Sequence, residues 1–236
     1  MPAFPFDIVG FDLDGTLLDT SPDLAAAVNH ALQAAGRAPL SPPELAAMIG
    51  GGAKVMLERA LARSGGCEPA EFKRLYTMLL AYYGDHLADQ TRPFPGMTAA
   101  LDALAGQGVA LAIVTNKFKR FATRLLGLLD LSDRFACVIG GDTLGKGNAK
   151  PSPLPIREMI RRCGGGRAAF VGDSLFDIAA GRAAGVATIA VSFGFSAQPA
   201  TTLGADAVID SFAELLPALW RLGGSLPPFD EEMARQ

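Results

Sequence analysis

Short, nearly unbroken apolar runs punctuate the chain, and each stops at a small polar or acidic group. Residues 6–11 carry Ile8, Val9 and Phe11 and stop at Asp12-Leu13-Asp14-Gly15. Residues 109–114 stop at Thr115-Asn116, and residues 168–171 at Gly172-Asp173. Weaker runs of the same kind span 137–139, 187–191 and 207–209. Runs of this length, bounded by turn signals and lacking polar alternation, predict strands buried on both faces, and therefore a parallel sheet. Segments 98–105, 118–126, 153–163, 176–184 and 212–222 fit helices between them. The β–α alternation predicts an α/β fold, a Rossmann-like doubly wound parallel sheet with right-handed crossovers.

Residues 21–91 break that alternation, because no good strand pattern occurs in them. Ser21 before Pro22 reads as a helix N-cap, and Gly36 follows the helix. Ser41-Pro42-Pro43-Glu44 reads as a capping box opening a second helix that ends at Gly50. Residues 53–63 and 68–86 predict two more helices. The expected organisation is a core of residues 1–19 and 92–222, an all-helical insert of residues 20–91, and a poorly ordered tail over 223–236.

With 236 residues, half of them hydrophobic, the chain can bury a core without staples, and a net charge of −3 excludes a disordered chain. It also speaks against a nucleic-acid partner, which needs a basic surface. Cys67, Cys137 and Cys163 form no paired motif, so burial in a reducing compartment is the expectation. No apolar run is long enough for a signal peptide or a membrane span. The expectation is a soluble cytoplasmic protein, with no membrane partner, acting on a small molecule as a monomer or homodimer.

Ligands of open parallel sheets bind beyond the carboxyl ends of the strands. Those ends here carry Asp12 and Asp14, Thr115 and Asn116, and Asp173 with Asp177, while Lys150 opens a later helix. Read alone, Asp173 serves equally well as a helix cap, Asp14 as a turn residue and Lys150 as a solvated lysine. Read together, they place four carboxylates on one rim. Two like charges about 4 Å apart cost roughly 4 kcal/mol at an effective dielectric of about 20, so the cluster calls for a cation. An all-oxygen carboxylate set selects a hard ion, Mg²⁺, and a metal beside a lysine suits a phosphate. One carboxylate can then attack phosphorus, and a second can move the protons.

Phe11-Asp12-Leu13-Asp14-Gly15-Thr16-Leu17, Val114-Thr115-Asn116, Lys150-Pro151 and Val171-Gly172-Asp173-Ser174-Leu175-Phe176-Asp177 resemble, in order, the four motifs of the haloacid-dehalogenase-like hydrolases. The resemblance covers residues 4–222 and implies a role for each residue. Asp12 is the nucleophile and a metal ligand. Asp14 is the general acid/base and lends its backbone carbonyl to the metal. Thr115 and the Asn116 backbone bind phosphoryl oxygens, and Lys150 neutralises nucleophile and phosphate. Asp173 binds Mg²⁺ directly, with Asp177 supporting the metal shell. The insert corresponds to the family's helical C1 cap, with hinges expected near Asp19-Thr20 and Thr91-Arg92. Ser21-Pro22-Asp23-Leu24, Met48-Ile49-Gly50-Gly51, Glu58-Arg59-Ala60-Leu61, Phe94-Pro95-Gly96, Thr115-Asn116-Lys117, Gly140-Gly141-Asp142-Thr143 and Val191-Ser192-Phe193-Gly194 resemble the phosphoglycolate phosphatase branch. The implied substrate is 2-phosphoglycolate, the alternative being a phosphosugar phosphatase or a β-phosphoglucomutase-like phosphomutase. The pattern departs from the family at Ser152 and at the apolar pair Leu175-Phe176.

Gly51 and Gly52 precede the helix expected at Ala53, and Lys54 lies in its first turn, so this corner of the insert is a candidate contact for the substrate's far end. Lys117 follows Thr115-Asn116 and reads either as a residue near the rim or, in preference, as a solvated lysine at a helix start. His30 and His86 lack partners at metal-ligand spacing. Gly140 to Lys146 matches part of a nucleotide-binding P-loop, but Gly147 stands where that motif needs Ser or Thr. A dehalogenase is disfavoured because Asp14 is present.

Overall fold

The structure, a computed structural model, describes residues 3–41, 44, 45, 48 and 52–224. Six parallel strands form the sheet: β1 (Ile8–Phe11), β4 (Ala110–Val114), β5 (Cys137–Ile139), β6 (Ala168–Gly172), β7 (Ala187–Val191) and β8 (Ala207–Ile209), in the spatial order β5-β4-β1-β6-β7-β8. Successive side chains of β1 serve opposite faces. Val9 and Phe11 join a core cluster with Met97, Leu101 and Leu215, while Ile8 joins Ile156, Met159 and Phe170. Both faces are buried, which is why the strand sequences read as continuous apolar runs. Each fully buried Phe or Ile contributes roughly 1.5–3 kcal/mol relative to exposure.

Helices α4 (Met97–Gly106), α5 (Lys119–Leu128) and α8 (Leu215–Gly223) supply one layer, and α6 (Leu154–Arg162) and α7 (Leu175–Ala184) the other. The insert contributes α1 (Ser21–Ala34), α2 (Ala53–Ala62) and α3 (Pro69–Asp85) as a helical cap, with Val28, Leu32, Leu57, Leu75 and Leu79 at its centre. Of the expected second helix only Glu44, Leu45 and Met48 are described, and the rest lies outside the described residues. Glu44 does take the Ser41 N–H at 2.8 Å.

Four expectations change. Ser21 is the first helical residue, and Thr20 stands at the cap position with its hydroxyl turned to Asp14 instead. A two-residue antiparallel ribbon, β2 (Leu18–Asp19) with β3 (Arg92–Pro93), joins the chain's two crossings between core and cap. The segment from Phe212 opens with a 3-10 turn before α8 begins. The cysteines are half-buried rather than buried, and the Cys137 and Cys163 sulfurs lie 3.9 Å apart. Of the expected tail, Gly223 closes α8 and Gly224 caps it, and residues 225–236 lie outside the described set. No helix among the described residues is long and apolar enough to cross a membrane.

Candidate active site

The order in which strands are added reverses at β1, with β4 and β5 laid down on one side and β6 to β8 on the other, which makes the carboxyl ends of β1 and β6 the switch point of the sheet. Phe11 pairs with Val171 there, so Asp12 and Asp173 leave neighbouring strands side by side. One oxygen from each of Asp12, Asp173 and Asp177 falls within a 4.8 Å cluster, and all three residues are buried.

Lys150 answers part of this charge. Its Nζ donates to Val114 O at 2.8 Å and to Asp177 Oδ1 at 2.5 Å, and it lies 2.9 Å from Asp12 Oδ1. The contact with Asp12 is an ion pair outside hydrogen-bond alignment, so Asp12 Oδ1 is a buried oxygen with no hydrogen-bond donor. Burial pushes the Asp12 carboxyl up to about 6, Lys150 pulls it back, and Asp177 and Asp14 add to the rise. Asp177 closes a capping box at the start of α7: its Oδ2 accepts from Ser174 N at 3.0 Å and from Ser174 Oγ at 2.5 Å. Capping thus belongs to Ser174 and Asp177, which leaves Asp173 free for other work.

Asp173 Oδ2 accepts the Phe195 N–H at 2.7 Å. Burial, then Asp177 and Asp12, push its carboxyl well above the usual range. The approach depends on two glycines. Gly15 has φ +81°, and a Cβ there would sit 2.4 Å from Asp173 Oδ2. A Cβ on Gly194 would meet Asp173 Cβ at 2.2 Å and Gly15 O at 2.6 Å. The loop after β7 therefore lies directly against the Asp173 carboxylate.

Asp14 occupies the turn after β1, where its Oδ1 accepts from Thr20 Oγ1 at 2.8 Å and from Lys117 Nζ at 2.6 Å. Lys117 is not solvated: its side chain is 4% exposed, and it also donates to Tyr83 Oη at 2.6 Å. Burial alone would lower its pKa, but Asp14 and Tyr83 outweigh burial and the net direction is upward. Burial pushes the Tyr83 phenol up to about 12. The sequence offered no local sign of this trio, whose members come from residues 14, 83 and 117.

Thr115 is buried at the end of β4, and its Oγ1 accepts the Lys117 N–H at 3.2 Å, which leaves its own proton to donate. The Asn116 side chain grips the Lys150 backbone in both directions, Nδ2 to Lys150 O at 3.0 Å and Lys150 N to Oδ1 at 2.9 Å. Asp142 takes the Lys119 N–H at 2.8 Å, so the stretch that matches part of a P-loop serves the start of α5 instead.

A cavity of about 480 Å³ joins these groups. Asp12, Asp14, Thr115, Asn116, Lys150 and Asp173 line its floor; Asp177 lies beneath it. Gly52 and Lys54 line the opposite side, while Gly51 lies outside the described residues. Lys54 is largely exposed and lies 3.7 Å from Glu58. Leu175 and Phe176 are exposed at the rim, at 57% and 40%. Four carboxylates face two ammonium groups, and that excess of negative charge on oxygen donors, with Asp12 Oδ1 undonated, fits a hard divalent cation.

The sequence profile described as haloacid dehalogenase-like hydrolase matches residues 9–191. The chain belongs to that family. Among similar proteins, a phosphoglycolate phosphatase of Agrobacterium fabrum is 42% identical over 93% of this chain and 94% of its own length. One of Chromobacterium violaceum is 40% identical over 88% and 93%. A solved structure described as a predicted phosphoglycolate phosphatase from Haemophilus somnus superposes with TM-score 0.83 at 32% identity, over 90% of this chain and 97% of that one. The chain is an enzyme, a hydrolase similar to phosphoglycolate phosphatases, and its sheet and helical cap are those of haloacid dehalogenase-like hydrolases.

Proposed function

We propose that this hydrolase is a Mg²⁺-dependent phosphatase of small phosphate monoesters, with 2-phosphoglycolate its substrate and an aspartyl-phosphate on Asp12 its intermediate. The observation that carries the reading is the convergence of Asp12, Lys150, Asp173 and Asp177 at the switch point, with Asp14 beside them on the same cavity.

Asp12, Asp173 and the Asp14 backbone carbonyl would hold Mg²⁺, with Asp177 anchoring Lys150 beneath. The bound ion supplies neutralisation of the negative charge shared by carboxylate and phosphoryl oxygens. An Asp12 carboxylate oxygen attacks phosphorus, and the bond from phosphorus to the ester oxygen breaks. Asp14 in its acid form gives its proton to the departing alkoxide. The Asp14 carboxylate then takes a proton from water as that water's oxygen attacks phosphorus, and the bond to Asp12 breaks, releasing phosphate. Lys150, the Thr115 hydroxyl and the Asn116 N–H hold phosphoryl oxygens as charge redistributes. The substrate's carboxylate end faces Gly52 and Lys54 at the start of α2, where free N–H groups favour an anion.

The identity of the relatives and the shared stretches support 2-phosphoglycolate. The test is phosphate release from 2-phosphoglycolate, 3-phosphoglycerate, glucose 6-phosphate and glucose 1-phosphate, with Mg²⁺ and with chelator, beside Asp12→Asn. The expected result is Mg²⁺-dependent release, fastest from 2-phosphoglycolate and lost in the variant. Faster release from a sugar phosphate overturns the substrate, and release that survives Asp12→Asn overturns the mechanism.

A further inference from the structure

Asp14 is tied to the cap through a buried lysine. Lys117 belongs to the loop after β4, and Tyr83 to the last turn of cap helix α3. Lys117 Nζ stands between the two, 2.6 Å from Asp14 Oδ1 and 2.6 Å from Tyr83 Oη. Tyr83 is itself buried, and it marks the place where α3 docks on core helix α5. Its ring meets Phe121 edge-on at 5.7 Å, and Arg124 donates to Gly84 O at 2.8 Å. The second donor to Asp14 Oδ1, Thr20, sits at the crossing into the cap. Among the described residues both donors go to Oδ1, so one oxygen is pinned and Oδ2 is left without a protein donor.

Burying an ammonium group is unfavourable unless its hydrogens are placed. A lysine that served only to join the layers would need no carboxylate of the reacting set. An aromatic contact alone would need no phenol oxygen at 2.6 Å.

We propose that Lys117 is a positioning residue for Asp14, and that Tyr83 carries the position of the cap into it. With α3 docked on α5, the phenol oxygen takes one ammonium hydrogen and holds Lys117 against Asp14 Oδ1, aiming Oδ2 for proton transfer. With α3 withdrawn, the phenol leaves, and the aim of Asp14 is lost before water can be activated. The inference rests on the reading of Asp14 as the acid and base of monoester hydrolysis.

The test compares kcat/KM for an alkyl ester, 2-phosphoglycolate, whose leaving oxygen needs a proton, with p-nitrophenyl phosphate, whose leaving oxygen does not. Lys117→Met should lower the alkyl value about 100-fold and the aryl value less than about 5-fold, the span of one general-acid contribution. Combined with Asp14→Asn it should lower the alkyl value no further than Asp14→Asn alone, because both act on one group. Tyr83→Phe keeps the ring against Phe121 but takes one acceptor from the buried ammonium. It should lower the alkyl-to-aryl ratio about 3- to 10-fold beside a modest fall in melting temperature, which a purely structural loss would not turn into a difference between the two esters. Equal losses on both esters, or losses that multiply with Asp14→Asn, would overturn the role of Lys117. An unchanged ratio in Tyr83→Phe would overturn the link to the cap. A wild-type enzyme inactive on both esters overturns the reading of the site, and this inference with it.

Discussion

Asp23 holds the return crossing of the cap, and removing its carboxylate has a cost that can be worked out. The residue lies in the first turn of α1, 2% exposed. Its oxygens accept Gln90 N at 3.0 and 3.1 Å, Thr91 N at 2.9 Å and Thr91 Oγ1 at 2.7 Å. Asp23→Ala strands two backbone N–H groups, one of them on fully buried Thr91. A buried donor without a partner costs about 1–3 kcal/mol. The Thr91 hydroxyl can rotate, and Gln90 reaches solvent more readily, so both contribute toward the low end. Loss of an acid from the first turn of a helix adds about 0.3–1 kcal/mol. The expected total is about 3–4 kcal/mol, a fall in melting temperature of roughly 6–16 °C for a chain of this size. Asp23→Asn keeps one acceptor but sets an amide N–H against a backbone N–H, and should cost about half as much. Urea unfolding followed by circular dichroism reads both variants, with a lower midpoint and an unchanged slope. A loss below about 1 kcal/mol in Asp23→Ala, or an Asn variant as damaged as the Ala variant, would refute this account.

The Asp12 carboxyl, raised by burial to about 6 from 3.8, binds its proton more tightly in the folded chain, so its contribution favours folding at low pH and fades as pH rises through about 6. Between pH 5 and 7.5 the chelator-treated protein should lose about 1–2 kcal/mol relative to Asp12→Asn, measured by urea midpoints, and a constant difference would contradict the sign. Gly194→Ala places a methyl group against Asp173 Cβ and Gly15 O. It should cost about 1–3 kcal/mol and raise the Mg²⁺ concentration needed for half-maximal activity; a wild-type melting curve and Mg²⁺ titration would show that the loop yields freely.

Groups that sit where a strand stops were legible in the chain. Asp12, Thr115 and Asp173 each end an apolar run, and a parallel sheet gathers such ends on one edge. Strand limits were legible for the same reason: 137–139, 187–191 and 207–209 match in full, while β1 begins two residues later than its apolar run. Pairings across distance left no local trace. Lys117 looks like any surface lysine until Asp14, 103 positions away, and Tyr83, 34 away, enclose it. Asp23 looks like a first-turn acid until Thr91 arrives beside it. The β2–β3 ribbon has two residues per strand, too few for any periodicity to register.

The central place of β1 carries a consequence for biosynthesis. Its Ile-Val-Gly-Phe is made before the other strands of its sheet, and both partners lie far downstream: Ile8 pairs with Ala110 on one side and Ala168 on the other. At roughly 5–20 residues per second, the ribosome needs about 5–20 s to deliver the first partner and several seconds more for the second. Through that interval the segment is apolar and unpaired, while α1 to α3, whose contacts are mutual and local, can collapse at once. Asp12 and Asp173 thus come together only after the nascent chain has carried an open strand past the whole cap, and a chaperone that shields residues 6–11 would act on the step that brings them together.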